Sequence, residues 1–195
     1  MDWQITQLQW WEILAVVLAI AYLVLAIRQN IWCWAAAAVS TLLYLFIMYQ
    51  AQLYMESVLQ LFYLAMAAYG WYQWRGSGDD GEELKVSAWP GRYHFIAIGS
   101  VLLLVLVSGE LLTRYSDAAL PFLDSLTTWG AVVATYMVTR KILENWIYWF
   151  VIDAVSIGLY ISRDLHFTAA LFTAYLVMIV VGYRSWRASM LENTA

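Results

Sequence analysis

The sequence predicts an all-α integral membrane protein, and three observations indicate it. Of its 195 residues, 64% are hydrophobic and only 12% are charged, which a soluble domain of this size could not present without a large exposed apolar surface. Apolar runs close to the ~20 residues that cross a bilayer recur along the chain. The longest polar insert, around residues 76–90, is too short to fold into a domain. We therefore expect no soluble catalytic module.

Seven membrane-spanning helices account for the apolar runs. The first begins after Met1-Asp2-Trp3-Gln4, which lacks the basic region of a cleaved signal peptide, so this helix is expected to insert and stay. The second carries the lone cysteine, Cys33, which we interpret as a packing residue. The predicted spans are residues 11–28, 32–50, 54–74, 94–112, 120–139, 146–162 and 165–183.

The basic residues predict the orientation of these spans. With the amino terminus outside and the carboxyl terminus in the cytoplasm, eight of the ten Lys and Arg residues are cytoplasmic, and Arg114 and Arg163 are outside. The formal net charge of −4 and the scatter of the basic residues exclude nucleic-acid binding. The cytoplasmic set comprises Arg28, Arg75, Lys85, Arg92, Arg140, Lys141, Arg184 and Arg187.

The chain also contains an internal repeat. An offset of 112 matches Arg28 with Arg140, Tyr63 with Tyr175, and Trp74 with Trp186, and at the second-span motif the offset shifts to 115 or 116, where Trp34 meets Trp149. Spans one to three and five to seven are then two copies of a three-helix unit, joined by the fourth span. The predicted boundaries are residues 1–75, 76–113 and 114–195, where the middle segment is a cytoplasmic insert plus the linking helix. Because three crossings end on the opposite side, a linking helix makes the repeats parallel, which is one plan of secondary transporters.

The sixth span carries an inward stripe of two tryptophans and a carboxylate. Trp146, Trp149 and Asp153 follow the helical period, and Ser156 and Tyr160 continue it. An ionised side chain near mid-bilayer costs roughly 2.5 to 3.5 kcal/mol, so Asp153 should face a polar cavity or a partner. A cation gains ~0.5 to 2 kcal/mol over an indole face, and this pocket therefore suits an organic cation. For Trp146, anchoring at the membrane interface is the alternative.

A second polar stripe runs along the third span. Glu56, Gln60 and Tyr63 lie on one face, and the Gln60 amide suits a ligand amide or a sugar hydroxyl. Glu56, only a turn from the helix start, equally fits an interfacial role. Asp124 at the external end of the fifth span could line an entrance, or could favour the helix amino terminus, where a carboxylate gains ~0.3 to 1 kcal/mol.

The residues of the sequence also exclude several kinds of chemistry. His94 and His166 have no second His or Cys at ligand spacing, so no metal site is predicted. No span has a central Lys or Arg to neutralise a phosphate dianion, and no Gly-rich phosphate loop is present. Without a nucleophile paired to a base, we expect neither an enzyme nor a bound cofactor.

Four motifs carry a resemblance to a known family. They are Glu144-Asn145-Trp146-x-x-Trp149-x-x-x-Asp153, Leu53-Tyr54 with Gln60, Tyr69-Gly70-Trp71-Tyr72, and Pro121-Phe122-x-Asp124-Ser125. In these motifs, and over nearly the whole chain, the sequence resembles the PnuC family of vitamin transporters. The resemblance implies two three-helix bundles joined by a linking helix, similar to the SWEET sugar transporters, commonly as a homotrimer in the bacterial inner membrane.

The resemblance also implies a substrate and its site. It implies facilitated diffusion of an unphosphorylated vitamin, usually nicotinamide riboside, with trapping by a cytoplasmic kinase. The family's substrate motif carries over to Trp146, Trp149 and Asp153, and its third-span glutamine carries over to Gln60. This chain has Asp153 where some relatives have asparagine, and it has Glu56 a turn before Gln60. Both residues add negative charge, so thiamine, carried by PnuT members, is the alternative substrate. A non-transporting membrane subunit or receptor of a larger complex is a further alternative.

Overall fold

A computed structural model of the protein describes residues 2–50, 54–76, 84–116, 120–162 and 166–193. This part of the chain folds into seven α-helices, and its only β-type pairing is a single bridge between Ser87 and Ile142. The prediction of an all-helical, seven-helix protein is confirmed. The helices are α1 (Asp2–Ile27), α2 (Trp32–Gln50), α3 (Tyr54–Trp74), α4 (Gly91–Tyr115), α5 (Pro121–Thr139), α6 (Asn145–Ser162) and α7 (His166–Glu192).

The helix lengths match a bilayer. They contain 18 to 27 residues, which at 1.5 Å per residue corresponds to roughly 27 to 40 Å. Within the described residues, α4 and the Ala169–Glu192 part of α7 meet the length and composition of a membrane span by themselves. Both α1 and α7 continue well beyond the predicted spans of residues 11–28 and 165–183, because a helix can extend past the apolar region once its backbone is hydrogen-bonded internally.

The chain divides into two compact units, residues 1–84 and 85–195, which are described separately. In unit 1, α2 packs against both α1 and α3. The Ser40 hydroxyl of α2 donates a 2.9 Å hydrogen bond to the Ala15 carbonyl of α1, so this buried polar group is satisfied across the helix pair.

In unit 2, each helix packs on the next, α4 on α5, α5 on α6, and α6 on α7. The Phe122 ring of α5 lies where a side chain at Gly109 of α4 would stand, so the two helices approach closely there. The Trp129 indole Nε1 donates a 3.1 Å hydrogen bond to Ser108 Oγ of α4. By these contacts α4 belongs to unit 2. The three-part division at residues 75 and 113 remains a prediction about the repeat boundaries.

The loops that precede α2 and α6 have the same backbone. Gln29 and Lys141, 112 positions apart, both adopt a positive φ, 53° and 49°. The Asn30 amide donates to the Leu25 carbonyl at 2.9 Å, and the Ile142 amide donates to the Met137 carbonyl at the same distance. Other loop hydrogen bonds are duplicated at the same offset, among them Arg28 N to Val24 O and Arg140 N to Tyr136 O, both 3.3 Å.

Each unit also contains a tryptophan packed on a glycine. The Trp34 indole of α2 lies against Gly70 of α3, and the Trp146 indole of α6 lies against Gly182 of α7. Each indole also meets a second tryptophan edge-on at 5.4 Å between ring centroids, Trp74 in unit 1 and Trp186 in unit 2. The prediction that the offset shifts to 115 or 116 is therefore wrong: Trp34 corresponds to Trp146, because the loop before each helix has the same length.

Candidate functional site

The predicted stripe of α6 lies on the buried face of that helix. Trp146, Asp153 and Ser156 are buried, and Trp149 and Tyr160 are partly buried. The opposite face is exposed at Ile147, Phe150, Val151, Ala154 and Ile161. The helical period of the sequence therefore places the polar and aromatic side chains together, away from the surface that lipid would cover.

Asp153 is the charged residue of this face. Its side chain is 5% exposed, and it makes no hydrogen bond or ion pair with any described residue. Some described residues have a side-chain polar atom that is inaccessible to solvent and lacks a hydrogen-bond partner, and these are Trp34, Ser125, Asn145 and Trp146. The Asp153 oxygens are not among these atoms, so they still contact space outside the packed core. A buried carboxylate without a protein partner is costly. This arrangement is suited to a carboxylate whose partner is a ligand.

The two tryptophans of the stripe differ in their surroundings. Trp146 is 2% exposed and is enclosed by Gly182 and Trp186, so its indole is part of the α6–α7 packing. Trp149 is partly exposed and lies one turn before Asp153 on the same face. Of the two indoles, Trp149 has the free surface on which a flat ligand could stack.

The carboxyl-terminal end of the stripe is aromatic. The Tyr160 ring packs on Phe172 of α7 at 4.9 Å between centroids, and Phe172 packs on Tyr175 at 5.5 Å. Ser156 is 7% exposed and lies between Asp153 and Tyr160 along the helix. These residues extend the polar and aromatic surface of α6 by two turns.

The predicted site residues of unit 1 lie on α3. Gln60 and Tyr63 are partly buried, and the Tyr63 ring contacts Phe62 at 5.6 Å between centroids. Glu56 lies in the first turns of α3, and its side chain is outside the described part of the chain. That Gln60, Tyr63 and Glu56 contact the same ligand as α6 remains a prediction.

Asp124 of unit 2 lies in the first turn of α5, where its carboxylate faces the positive end of the helix dipole. It is partly exposed, and the buried Ser125 hydroxyl beside it has no hydrogen-bond partner among the described residues. This position fits both alternatives, an entrance residue and a helix-end residue.

A cavity of about 310 Å³ lies on the other face of α6. It is lined almost entirely by apolar groups, including Ile98 and Leu102 of α4, Gly130 of α5, and Ile147 and Val151 of α6. Because the lining offers hydrocarbon and no charged group, this cavity is unsuited to a polar vitamin. The polar face of α6 is the candidate substrate surface.

Sequence reasoning missed Gly182 and Trp186 as the residues that hold Trp146. The signal was present, since Gly70 and Trp74 precede them by 112 positions in the aligned repeat. It also missed Asn145, which is fully buried and donates a 2.6 Å hydrogen bond from Nδ2 to the Ile142 carbonyl. Cys33 occupies the equivalent position in unit 1 and is equally buried.

Comparison with characterised proteins identifies relatives over most of the chain. The sequence is 27% identical to the riboflavin/roseoflavin transporter RibM of Streptomyces davaonensis over 184 residues, which covers 91% of this chain and 84% of RibM. It is 26% identical to the nicotinamide riboside transporter PnuC of Escherichia coli over 215 residues, 95% of this chain and 88% of that protein. PnuC of Neisseria mucosa is also 26% identical, over 91% of this chain and 72% of its own length.

The fold agrees with these relatives. The crystal structure of the vitamin B3 transporter PnuC superposes with a TM-score of 0.73 at 25% sequence identity, covering 94% of this chain and 83% of that one. These similar proteins are transporters, which confirms the prediction that the chain is a membrane transport protein and not an enzyme. The family model described as nicotinamide mononucleotide transporter matches residues 9–188, and the chain therefore belongs to that family, which includes the PnuC vitamin transporters.

Proposed function

We propose that this transporter carries nicotinamide riboside, and that α6 binds its positively charged pyridinium ring. The observation that carries the proposal is Asp153, a residue that is 5% exposed and whose carboxylate has no partner among the described residues. Trp149, one turn away on the same face, offers a partly exposed indole. A cationic aromatic ring stacked on Trp149 and paired with Asp153 would supply the missing counter-charge.

The charge of Asp153 favours some relatives' substrates over others. Riboflavin, the substrate in the name of RibM, is uncharged and leaves this carboxylate unpaired. Thiamine is also a cationic aromatic compound and would satisfy Asp153, but the similar proteins above include no thiamine transporter. Nicotinamide riboside satisfies the charge and matches the substrate of the PnuC relatives.

The family description names the mononucleotide, which adds a phosphate to the riboside. None of the spans has a Lys or Arg at its centre, so a phosphate dianion would cross without a counter-charge and beside Asp153. We infer that the unphosphorylated riboside is the form that moves. On entry, phosphorylation by a cytoplasmic kinase would trap it.

Movement is facilitated diffusion without ion coupling, because a fixed counter-ion for a cation need not titrate. The protein lies in the bacterial inner membrane with its amino terminus outside and its carboxyl terminus in the cytoplasm. The two repeats form parallel three-helix bundles joined by α4, as in the SWEET transporters, and the protein assembles as a homotrimer.

Uptake by proteoliposomes that contain only this protein, without an energy source, tests the proposal. Labelled nicotinamide riboside, thiamine, riboflavin and nicotinamide mononucleotide are compared at equal concentration. We expect riboside uptake that stops at equilibrium and is unaffected by a protonophore. Preference for riboflavin or the mononucleotide would contradict the role of Asp153, and preference for thiamine would retain that role but change the substrate. If none of the four compounds is taken up, the result would favour the alternative that the chain is a non-transporting membrane subunit.

A further inference from the structure

The segment that precedes α4, residues 85–90, forms a strap across the loop between α5 and α6. The Ser87 amide donates a 3.1 Å hydrogen bond to the Lys141 carbonyl, and the Leu143 amide donates a 2.8 Å bond back to the Ser87 carbonyl. Two residues later, the Trp89 amide donates to Glu144 Oε2 at 3.2 Å. Three hydrogen bonds thus join the strap to residues immediately before α6, all within unit 2.

The strap is also anchored to α4 at its other end. The Trp89 ring packs on the His94 ring at 5.6 Å between centroids, and His94 Nδ1 forms a 3.0 Å hydrogen bond with the Tyr148 hydroxyl of α6. The first turn of α6 is therefore tied twice, through Glu144 to the strap and through Tyr148 to α4.

In the part of the chain that the structure describes, no segment is hydrogen-bonded across the corresponding loop of unit 1. Its backbone is the same, with Gln29 in the place of Lys141 and Ile31 in the place of Leu143. In the described part of the chain, the Ile31 amide and the Gln29 carbonyl make no hydrogen bond, although their counterparts both bond to Ser87. The loop conformation therefore does not need the strap, and the strap has a role besides loop folding.

We propose that the strap is a positioning element, which fixes the rotation and height of α6 and so presents Trp149 and Asp153 to the substrate. A helix held at one end by three backbone and side-chain bonds resists rotation about its axis, and a rotation of one residue, about 100°, would turn the polar stripe toward lipid. Among the described residues, no such bonds hold helix α2, the counterpart of α6 in unit 1. The effect of the strap on substrate binding rests on the proposed function, whereas its effect on the position of α6 does not.

Two matched pairs of variants test the strap. Ser87→Pro removes the amide that donates to Lys141, whereas Ala88→Pro alters an exposed neighbour whose amide makes no hydrogen bond to any described residue. Glu144→Ala removes the acceptor for the Trp89 amide, whereas Glu144→Gln keeps an acceptor oxygen. Hydrogen exchange of the purified protein reports on α6 at residues 145–153, with α2 at residues 33–41 as the internal reference.

We expect hydrogen exchange in Ser87→Pro and Glu144→Ala to be faster in α6 and to be unchanged in α2. Both variants should bind nicotinamide riboside ~3- to 10-fold more weakly, as loss of one or two hydrogen bonds predicts. Ala88→Pro and Glu144→Gln should match the unmodified protein in both readouts. Equal effects within a pair, or unchanged exchange in α6, would overturn the proposal. Faster exchange with unchanged affinity would overturn the positioning role. If the unmodified protein binds no vitamin, the proposed function fails, and the exchange data still decide whether the strap holds α6.

Discussion

The indole of Trp146 lies on the backbone of Gly182, with its ring carbons 2.5 to 2.7 Å from where a side-chain carbon would stand. The contact brings α6 and α7 close together at the point where the polar and aromatic stripe of α6 begins. Trp34 and Gly70 form the same contact between α2 and α3. Both units therefore contain a helix pair that, at this contact, has a glycine on one helix and a large flat ring on the other.

The first prediction concerns this contact. A methyl group at Gly182 would overlap the Trp146 ring, which is enclosed by Trp186 and cannot move without opening the helix pair. Gly182→Ala should therefore destabilise the protein by ~1 to 3 kcal/mol, the usual cost of overpacking. Thermal unfolding in detergent measures the effect. Gly158→Ala is the matched control, because nothing lies within 4 Å of that position, and it should be neutral or slightly stabilising since alanine favours the helix.

The second prediction tests the charge of the site. Asp153→Asn keeps the size of the side chain and removes its charge, so a cationic substrate loses its counter-ion. We expect binding of nicotinamide riboside to weaken ~10- to 150-fold, a loss of about 1.5 to 3 kcal/mol, because the quaternary pyridinium nitrogen loses its Coulomb attraction to the carboxylate. Titration calorimetry gives the affinity. Glu110→Gln is the control, because that carboxylate is exposed and is paired with Arg114 at 2.7 Å, and it should leave affinity unchanged. Equal loss in both variants would contradict a local role for Asp153.

The third prediction separates the two tryptophans of α6. Trp149→Ala should weaken substrate binding ~2- to 30-fold, as loss of a cation–π contact predicts, with little change in thermal stability. Trp146→Ala should instead destabilise the protein by ~3 to 5 kcal/mol, because it leaves a cavity between Gly182 and Trp186. Phe150→Ala, on the exposed face of α6, controls for loss of an aromatic ring. If Trp149→Ala loses stability and not affinity, Trp149 is a packing residue.

The fold and the inward face of α6 could be predicted from the sequence because both depend on periodicity. A run of ~20 apolar residues identifies a span, and the spacing from Trp146 to Tyr160 identifies one face of a helix. Near Trp34, matching identical residues gives the wrong alignment of the repeats, because what the two repeats share there is a backbone conformation. Its signature is a positive φ at Gln29 and Lys141, two residues of different type.

The strap could not be predicted for a related reason. Its bonds to Lys141 and Leu143 are made by backbone atoms of Ser87, so the side chains of the strap give no indication of them. The spacing places Trp146 on the same face as Trp149 and Asp153, but spacing cannot distinguish an indole that faces a ligand from one enclosed by a glycine and a second indole. That distinction depends on α7, which is remote in sequence.

The last prediction concerns the duplicated loop. Gln29 adopts φ 53°, where residues with a side chain are strained and glycine is not. Gln29→Gly should therefore raise the stability of the protein by about 0.5 to 1 kcal/mol. This gain is the backbone strain that is relieved, minus the conformational entropy that glycine adds to the unfolded chain. Arg28→Gly is the control, since Arg28 has no such φ and glycine there can only destabilise. Lys141→Gly should gain less than Gln29→Gly, because the buried Lys141 side chain would lose its packing. Thermal unfolding of the three variants measures this order, and a loss of stability in Gln29→Gly would mean that the left-handed residue of this loop carries no strain.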